Sequence, residues 1–385
     1  MKTTIFKITQ RIINGCGTYY TRIADEAAAL GAHKIMFVCD PILTTLGLTE
    51  KTIKILNERG FEVDVFDGVE PDPRVEITSD AAEKAKKFGA DCVIGVGGGS
   101  SLDTAKVCAV LLTNEEGPRE MLGVDNVKKA GVPLILVPTS AGTGSEVTDI
   151  AILSDDIAKL KIGIASRYLI PSSVILDPEL TLTLPKGPTA ASGLDALIHA
   201  MEAYTSVNAT PLTDIFAEQA IKLIAPNLRS AWARGDRLEV REAMLTGSFY
   251  AGVAFCNAGV TAVHAFAYPI GAEFHIPHGV ANSIMLVPVF RFNMTGNLPR
   301  FAKLAELLGE DVTGLSMKQA AEKAIQNIVD LVDDVHVTRH LADYGVKPED
   351  VPALAKGVLE VKRILANNSR TLNYEEAHAI YTAAL

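Results

Sequence analysis

Apolar and polar positions change rhythm part-way along this chain. In the first half, short apolar runs of strand length alternate with stretches where apolar residues recur every three or four positions. KIMFVCD (34–40), FEVDVFDG (61–68), CVIGVGGG (92–99) and VPLILVPT (132–139) predict strands. Between them, LTEKTIKILNERG, closed by Gly60, and SDAAEKAKKFGA predict helices, and a further helix opens at Ser100 or Ser101. Strands alternating with helices of this length predict βαβ units and a parallel sheet, and unbroken apolar runs fit burial on both faces. After Pro185 the helical rhythm takes over, in AASGLDALIHAMEAYTS, TDIFAEQAIKLIAPNLRSAWA and PRFAKLAELLGE. The expectation is an α/β domain over 1–186 and an all-helical domain over 187–385, joined near LPKGPT, where prolines and a glycine interrupt both patterns. A ligand cleft between the halves is expected, because open α/β sheets bind beyond their strand C-termini.

Composition narrows the classes. A chain of 385 residues is long for one hydrophobic core, which agrees with two domains. A net charge of −10 argues against a nucleic-acid partner, since nothing would neutralise phosphates. No apolar run reaches the ~18–20 residues of a membrane span, and MKTTIFKITQ lacks the apolar stretch of a signal peptide. The five cysteines are scattered and unpaired by spacing, so reduced thiols and a cytoplasmic address are expected.

Two glycine-rich turns follow strands. In GVGGGSSLDTAK (95–106), Gly97, Gly98 and Gly99 let backbone approach a ligand closely, and Ser100 and Ser101 are candidates to cap the helix. The free N–H groups and dipole there favour a pyrophosphate. The loop is neither a Walker A motif nor the usual dinucleotide fingerprint, and a ligand-free strand-to-helix turn is the plain alternative. PTSAGTGSE (138–146) is a second such loop; Thr139, Ser140 and Ser145 serve either an anionic ligand or ordinary turn hydrogen bonds. Asp40 ends its strand as a turn former or as the acceptor of two ribose hydroxyls. The second role would repel a 2′-phosphate and point to NAD over NADP.

The region 192–282 carries four of the eight histidines: His199, His264, His275 and His278. Asp195 and His199 stand i,i+4 in SGLDALIHAMEA and share a helical face. Asp195, His199, His264 and His278 would offer one carboxylate oxygen and three imidazole nitrogens, a set suited to Fe²⁺ or Zn²⁺ more than to Ca²⁺ or Mg²⁺. Plain readings stand beside this one: an intrahelical contact for Asp195 and His199, a satisfied core histidine for His264 and a solvent-facing side chain for His275, which is left outside the ligand set; His278 is placed in the turn IPHG.

GGGSSLDTAK (97–106), PTSAGTGSEVT (138–148), SGLDALIHAMEAY (192–204) and HAFAYPIGAEFHIPHGVAN (264–282), in this order and spacing, resemble the iron-containing (group III) alcohol dehydrogenase family. The resemblance implies a Rossmann-like parallel-sheet nucleotide domain followed by a helical metal-binding domain, the dehydroquinate synthase-like fold. It implies metal ligation by Asp195, His199, His264 and His278, with Fe²⁺ expected and Zn²⁺ or another divalent metal able to serve. It implies NAD(H) contacts from Asp40, from Gly97, Gly98, Gly99, Ser100, Ser101 and Asp103, from Thr139, Ser140, Thr143 and Ser145, and from Lys161. The activity implied is hydride transfer between nicotinamide C4 and a small alcohol or aldehyde, in a homodimer or higher homo-oligomer. Where many members carry a histidine near the substrate, this chain has Tyr268; it is a pocket wall or a proton relay, and His275 is a second relay candidate. The competing class is an NAD- and metal-dependent lyase of the dehydroquinate-synthase type, which needs a basic pocket that 192–282, poor in Lys and Arg, does not supply.

Overall fold

The computed structural model describes residues 4–155 and 160–385. The chain divides into two compact units, Lys7–Thr183 and a second that joins Leu184–Leu385 to a short N-terminal segment ending at Phe6. Phe6 is stacked on Phe216, with ring centroids 5.7 Å apart.

Among the described residues the first unit has nine strands: β1 (Ile12–Asn14), β2 (Lys34–Val38), β3 (Glu62–Phe66), β4 (Cys92–Gly97), β5 (Gly123–Val124), β6 (Leu134–Pro138), β7 (Ile150–Asp155), β8 (Leu160–Ala165) and β9 (Ser173–Leu176). Six of them form a parallel sheet in the order β1-β9-β6-β4-β2-β3. β5, β8 and β7 form a small separate sheet. Alternation along the central strands supplies two cores, one per sheet face. Met36, Val38, Val93 and Leu136 belong to one, while Ile35, Phe37, Ile94 and Val137 belong to the other. Each such side chain contributes about 1.5–3 kcal/mol by leaving water, so the strands that carry the loops are firmly held.

The strand order reverses between β2 and β4. From β2 the chain goes outward to β3 and then returns to β4 on the opposite side of β2. The carboxyl ends at such a switch point are where open α/β sheets bind ligands. Here they carry Asp40 and Gly97–Gly99. The helix after β4 spans Gly99–Leu111 and its N-cap is Gly98, with no side-chain cap. The expected Ser100 or Ser101 cap is therefore not formed. Ser101 is buried instead, its hydroxyl directed at Gly97, where a Cβ would stand 2.5 Å from Ser101 Oγ and the backbone has φ +146°.

The second unit has helices but no strands among the described residues. Lys186–Thr205 starts immediately after Pro185 and is buried almost continuously from Gly193 to Thr205. It lies against Pro211–Ala233 and Leu238–Ala258, close enough that a Cβ on Gly193 would meet Leu228 at 2.4 Å and Met244 at 2.9 Å. Ala262–Phe274 and His278–Asn293 follow. Among the described residues no single helix is long and apolar enough to cross a membrane. The pair Leu238–Ala258 and Ala262–Phe274, bent by 100°, passes on length and composition only.

Candidate metal centre and nucleotide loops

Three helices of the second unit bring chemistry to one place. Asp195 and His199 lie one turn apart on Lys186–Thr205, His264 opens Ala262–Phe274, and His278 opens His278–Asn293. The IPHG stretch, expected as a turn, thus ends with a helix start: Pro277 is the N-cap and His278 the first helical residue. Gly279 makes this possible, since a Cβ there would lie 2.5 Å from the carbonyl oxygen of Ala191.

One ligand atom each from Asp195, His199 and His264 lie within 4.8 Å of one another, and all three residues are buried. His199 Nε2 and His264 Nε2 are 2.9 Å apart, and His264 Nε2 is 3.7 Å from Asp195 Oδ1. His278 joins them through Asn282, whose Nδ2 is 3.1 Å from both His278 Nε2 and His264 Nε2 and donates to Asp195 Oδ1 at 2.8 Å. Phe255 stacks on His199 with ring centroids 4.3 Å apart, fixing that ring's plane. Tyr268, half-buried, has its ring centroid 6.2 Å from that of His278. His275 is exposed at the left-handed residue, φ 53°, that ends the helix.

Burial, the largest influence on Asp195, works to raise its carboxyl, but His199, His278, His264 and the Asn282 hydrogen bond hold it below the usual carboxylate range. Burial works to lower His264, and the Glu202 charge and hydrogen bond, aided by Asp195, raise it above the ordinary imidazole range. Glu202 and Asn282 belong to this site, although sequence reasoning did not single them out. Their signal was spacing: Glu202 lies seven residues after Asp195 and three after His199, and Asn282 four after His278.

The donor set fits a divalent ion. Metal–nitrogen bonds of about 2.0–2.1 Å place neighbouring donors roughly 3 Å apart, the spacing of the two Nε2 atoms. A buried carboxylate with imidazoles suits a borderline metal. The Oδ1 atom of Asn282 is buried without a hydrogen-bond partner among the described residues, a polar atom that the surrounding protein does not satisfy.

In the first unit the two glycine loops meet. β4 and β6 pair so that Gly97 faces Pro138, and Thr139 N donates to Gly97 O at 3.0 Å. A Cβ on Gly99 would lie 2.7 Å from the Thr143 side chain, and one on Gly98 would lie 3.7 Å from Ser140 Oγ. Asp40 caps its own short helix through Oδ1, accepting from Ile42 N and Leu43 N, while Oδ2 would stand 3.3 Å from a Cβ on Gly97. Asp103 is committed within the fold: it accepts from Ser145 Oγ and, through Oδ2, from Ile152 N at 2.9 Å. Lys161 is paired with Asp72 at 2.7 Å.

Residues 9–178 match the family described as iron-containing alcohol dehydrogenase, and residues 189–385 match the Fe-containing alcohol dehydrogenase family, C-terminal. The chain belongs to the iron-containing alcohol dehydrogenase family. It is 41% identical over 364 residues to a 1,3-propanediol dehydrogenase of Klebsiella pneumoniae, covering 94% of each chain. A solved 1,3-propanediol oxidoreductase shares the fold at a TM-score of 0.97 and 39% identity over the whole of both chains. Sulfoacetaldehyde reductase from Bifidobacterium kashiwanohense, solved in complex with NAD⁺, gives 0.89 at 28% identity over 100% of this chain and 99% of that one.

Membership makes this chain an alcohol–aldehyde oxidoreductase, and the structure speaks against the lyase alternative. The basic side chains within 192–282 all have partners in the chain, four of them at its surface. Arg229 binds Asp334, Arg234 binds Asp236, Arg237 binds Glu239, Lys222 lies 3.8 Å from Glu218, and Arg241 donates to Gly235 O and Leu184 O. Only Arg241 among them is buried, and its guanidinium is taken up by Gly235 O, Leu184 O and Thr189 Oγ1, so they form no buried basic pocket for a multiply anionic substrate.

Proposed function

We propose that this enzyme is an NAD(H)-dependent alcohol dehydrogenase and aldehyde reductase whose single divalent metal, iron in the first instance, is held by Asp195, His199, His264 and His278. The observation that carries the reading is the buried convergence of Asp195, His199 and His264 on one point. When bound, the metal supplies polarisation of the substrate oxygen and the nicotinamide supplies hydride exchange.

The chain's own residues supply position and charge. Asp195 brings the anionic ligand, and the three imidazoles complete a set that leaves room for a substrate oxygen. Phe255 keeps water from one face of His199. Gly97–Gly99 and the N–H groups opening the Gly99–Leu111 helix bind the diphosphate, and Ser140 and Thr143 flank it from the second loop. Asp40 Oδ2 accepts from the ribose hydroxyls and repels a 2′-phosphate, which favours NAD over NADP. Tyr268 shapes the substrate side. A homo-oligomer is part of this reading, as is a cytoplasmic address, which the five free cysteines support.

The test is metal analysis and an NADH-oxidation screen over small aldehydes, with Fe²⁺- and Zn²⁺-loaded parent and His264→Ala. The parent should bind one equivalent and reduce small aldehydes; the variant should lose both metal and turnover. Near-stoichiometric metal in the variant would sink the ligand assignment.

A further inference from the structure

We propose that Glu202 is a positioning residue that fixes the tautomer of His264 and so determines whether that ring can ligate metal; this rests on the metal-site reading above. Glu202 is fully buried. Its Oε1 accepts from Thr261 Oγ1 at 2.6 Å and from Val263 N at 2.7 Å, and its Oε2 accepts from His264 Nδ1. A carboxylate can only accept, so the ring nitrogen facing it carries the proton. In the neutral ring the lone pair then lies on Nε2, the atom turned toward His199 and Asp195. Holding the far nitrogen of a ligand imidazole in this way fixes both ring orientation and basicity.

The same carboxylate also satisfies the start of the helix. Val263 is the second residue of Ala262–Phe274, and its N–H is one of the donors that a helix N-terminus leaves without an intrahelical partner. That donor is backbone and cannot turn round. Glu202→Gln is therefore an informative change. The amide oxygen must face Val263 N–H, which sets the NH₂ against His264 Nδ1. His264 then has to accept there and carry its proton on Nε2, where the metal would bind. The variant keeps the shape and the helix cap while inverting the one hydrogen bond that selects the tautomer.

The full-length protein, stripped of metal, is titrated with Co²⁺ against a competing chelator, with visible absorption recorded. Glu202→Gln should bind Co²⁺ about 10- to 100-fold more weakly than the parent, the usual cost of losing such a partner, and with an altered spectrum. Thr261→Val removes another donor to the same carboxylate and leaves the His264 contact, so it should bind Co²⁺ as the parent does. Parent-like affinity and spectrum in Glu202→Gln overturn the proposal, as does equal weakening in both variants. If the parent itself takes up no Co²⁺, the metal-site reading fails first and this inference goes with it. Should Glu202→Gln not fold, the Zn²⁺-loaded parent decides. With ¹⁵N-labelled histidine, the signal absent from His264→Ala should show a proton on Nδ1, and a bare Nδ1 overturns the proposal.

Discussion

Tyr268 stands one helical turn after His264, with its ring beside His278. A phenol there either passes a proton or forms a wall. Its ordinary pKa of about 10 makes it a poor base near neutrality, so the wall is the expected role. Tyr268→Phe removes the hydroxyl and keeps the ring. On the wall reading kcat should stay within a few-fold of the parent, and Tyr268→Ala should move preference toward bulkier aldehydes. A relay would instead cost ~10²–10⁴-fold. A hundredfold fall in kcat for Tyr268→Phe, with metal content intact, would reverse the assignment.

The elements explain why the two loops stay in register. A Cβ on Gly95 would stand 2.5 Å from Ala105 Cβ and 2.8 Å from Leu136, so the Gly99–Leu111 helix lies directly on β4. Lys106 on that helix is wholly buried and donates to Thr148 Oγ1 at 3.0 Å and to Ile150 O at 2.8 Å, tying it to the segment after the second loop. Glu146, the last residue of the second loop, is buried, with Oε1 unpartnered among the described residues. Burial pushes its carboxyl up to about 7, against the opposing pull of Lys106. A carboxyl raised on folding favours the folded state below its unfolded pKa, and that contribution is lost as pH rises through the folded value. Between pH 5 and 8 the parent should therefore lose stability that Glu146→Gln keeps, roughly 3 kcal/mol at most. Thermal melts should show the variant gaining several degrees on the parent across that range, and a gap independent of pH would refute the assignment.

The elements also show what local pattern can and cannot report. β2, β4 and β6 were legible because strands buried on both faces read as unbroken apolar runs. The glycine loops and Asp195–His199 were legible because strand ends and i,i+4 spacing are local properties. Glu202 and Asn282 were not, since on a helix each reads as one more polar residue. Only the approach of a second helix shows that Glu202 faces His264 and that Asn282 reaches Asp195. Ser101 failed as a cap for a related reason: the helix begins before it, at Gly99, and the missing Cβ at Gly97 gives its side chain a buried place to go.

At the scale of the whole molecule, the two proposed ligands act on different units. The metal set draws on three helices of one unit, and the diphosphate loops belong to the other. A ligand bound only by the folded state stabilises what it links, by about 2.7 kcal/mol at a free concentration a hundredfold above Kd. Asp195 and His199 lie on Lys186–Thr205, His264 on Ala262–Phe274 and His278 on His278–Asn293, so a metal held by these residues would join the first helix to two that follow much later in the chain. Removing it would take away that joint. Local opening should therefore rise in those three helices, while β2, β4 and β6, whose cores lie in the other unit, keep their protection. Peptide-resolved hydrogen exchange on loaded and chelator-stripped protein measures this directly. Faster exchange confined to 186–205, 262–274 and 278–293 is the expected outcome. Unchanged exchange in those helices, or equal acceleration in the strands, would show that the metal is not held where these residues converge.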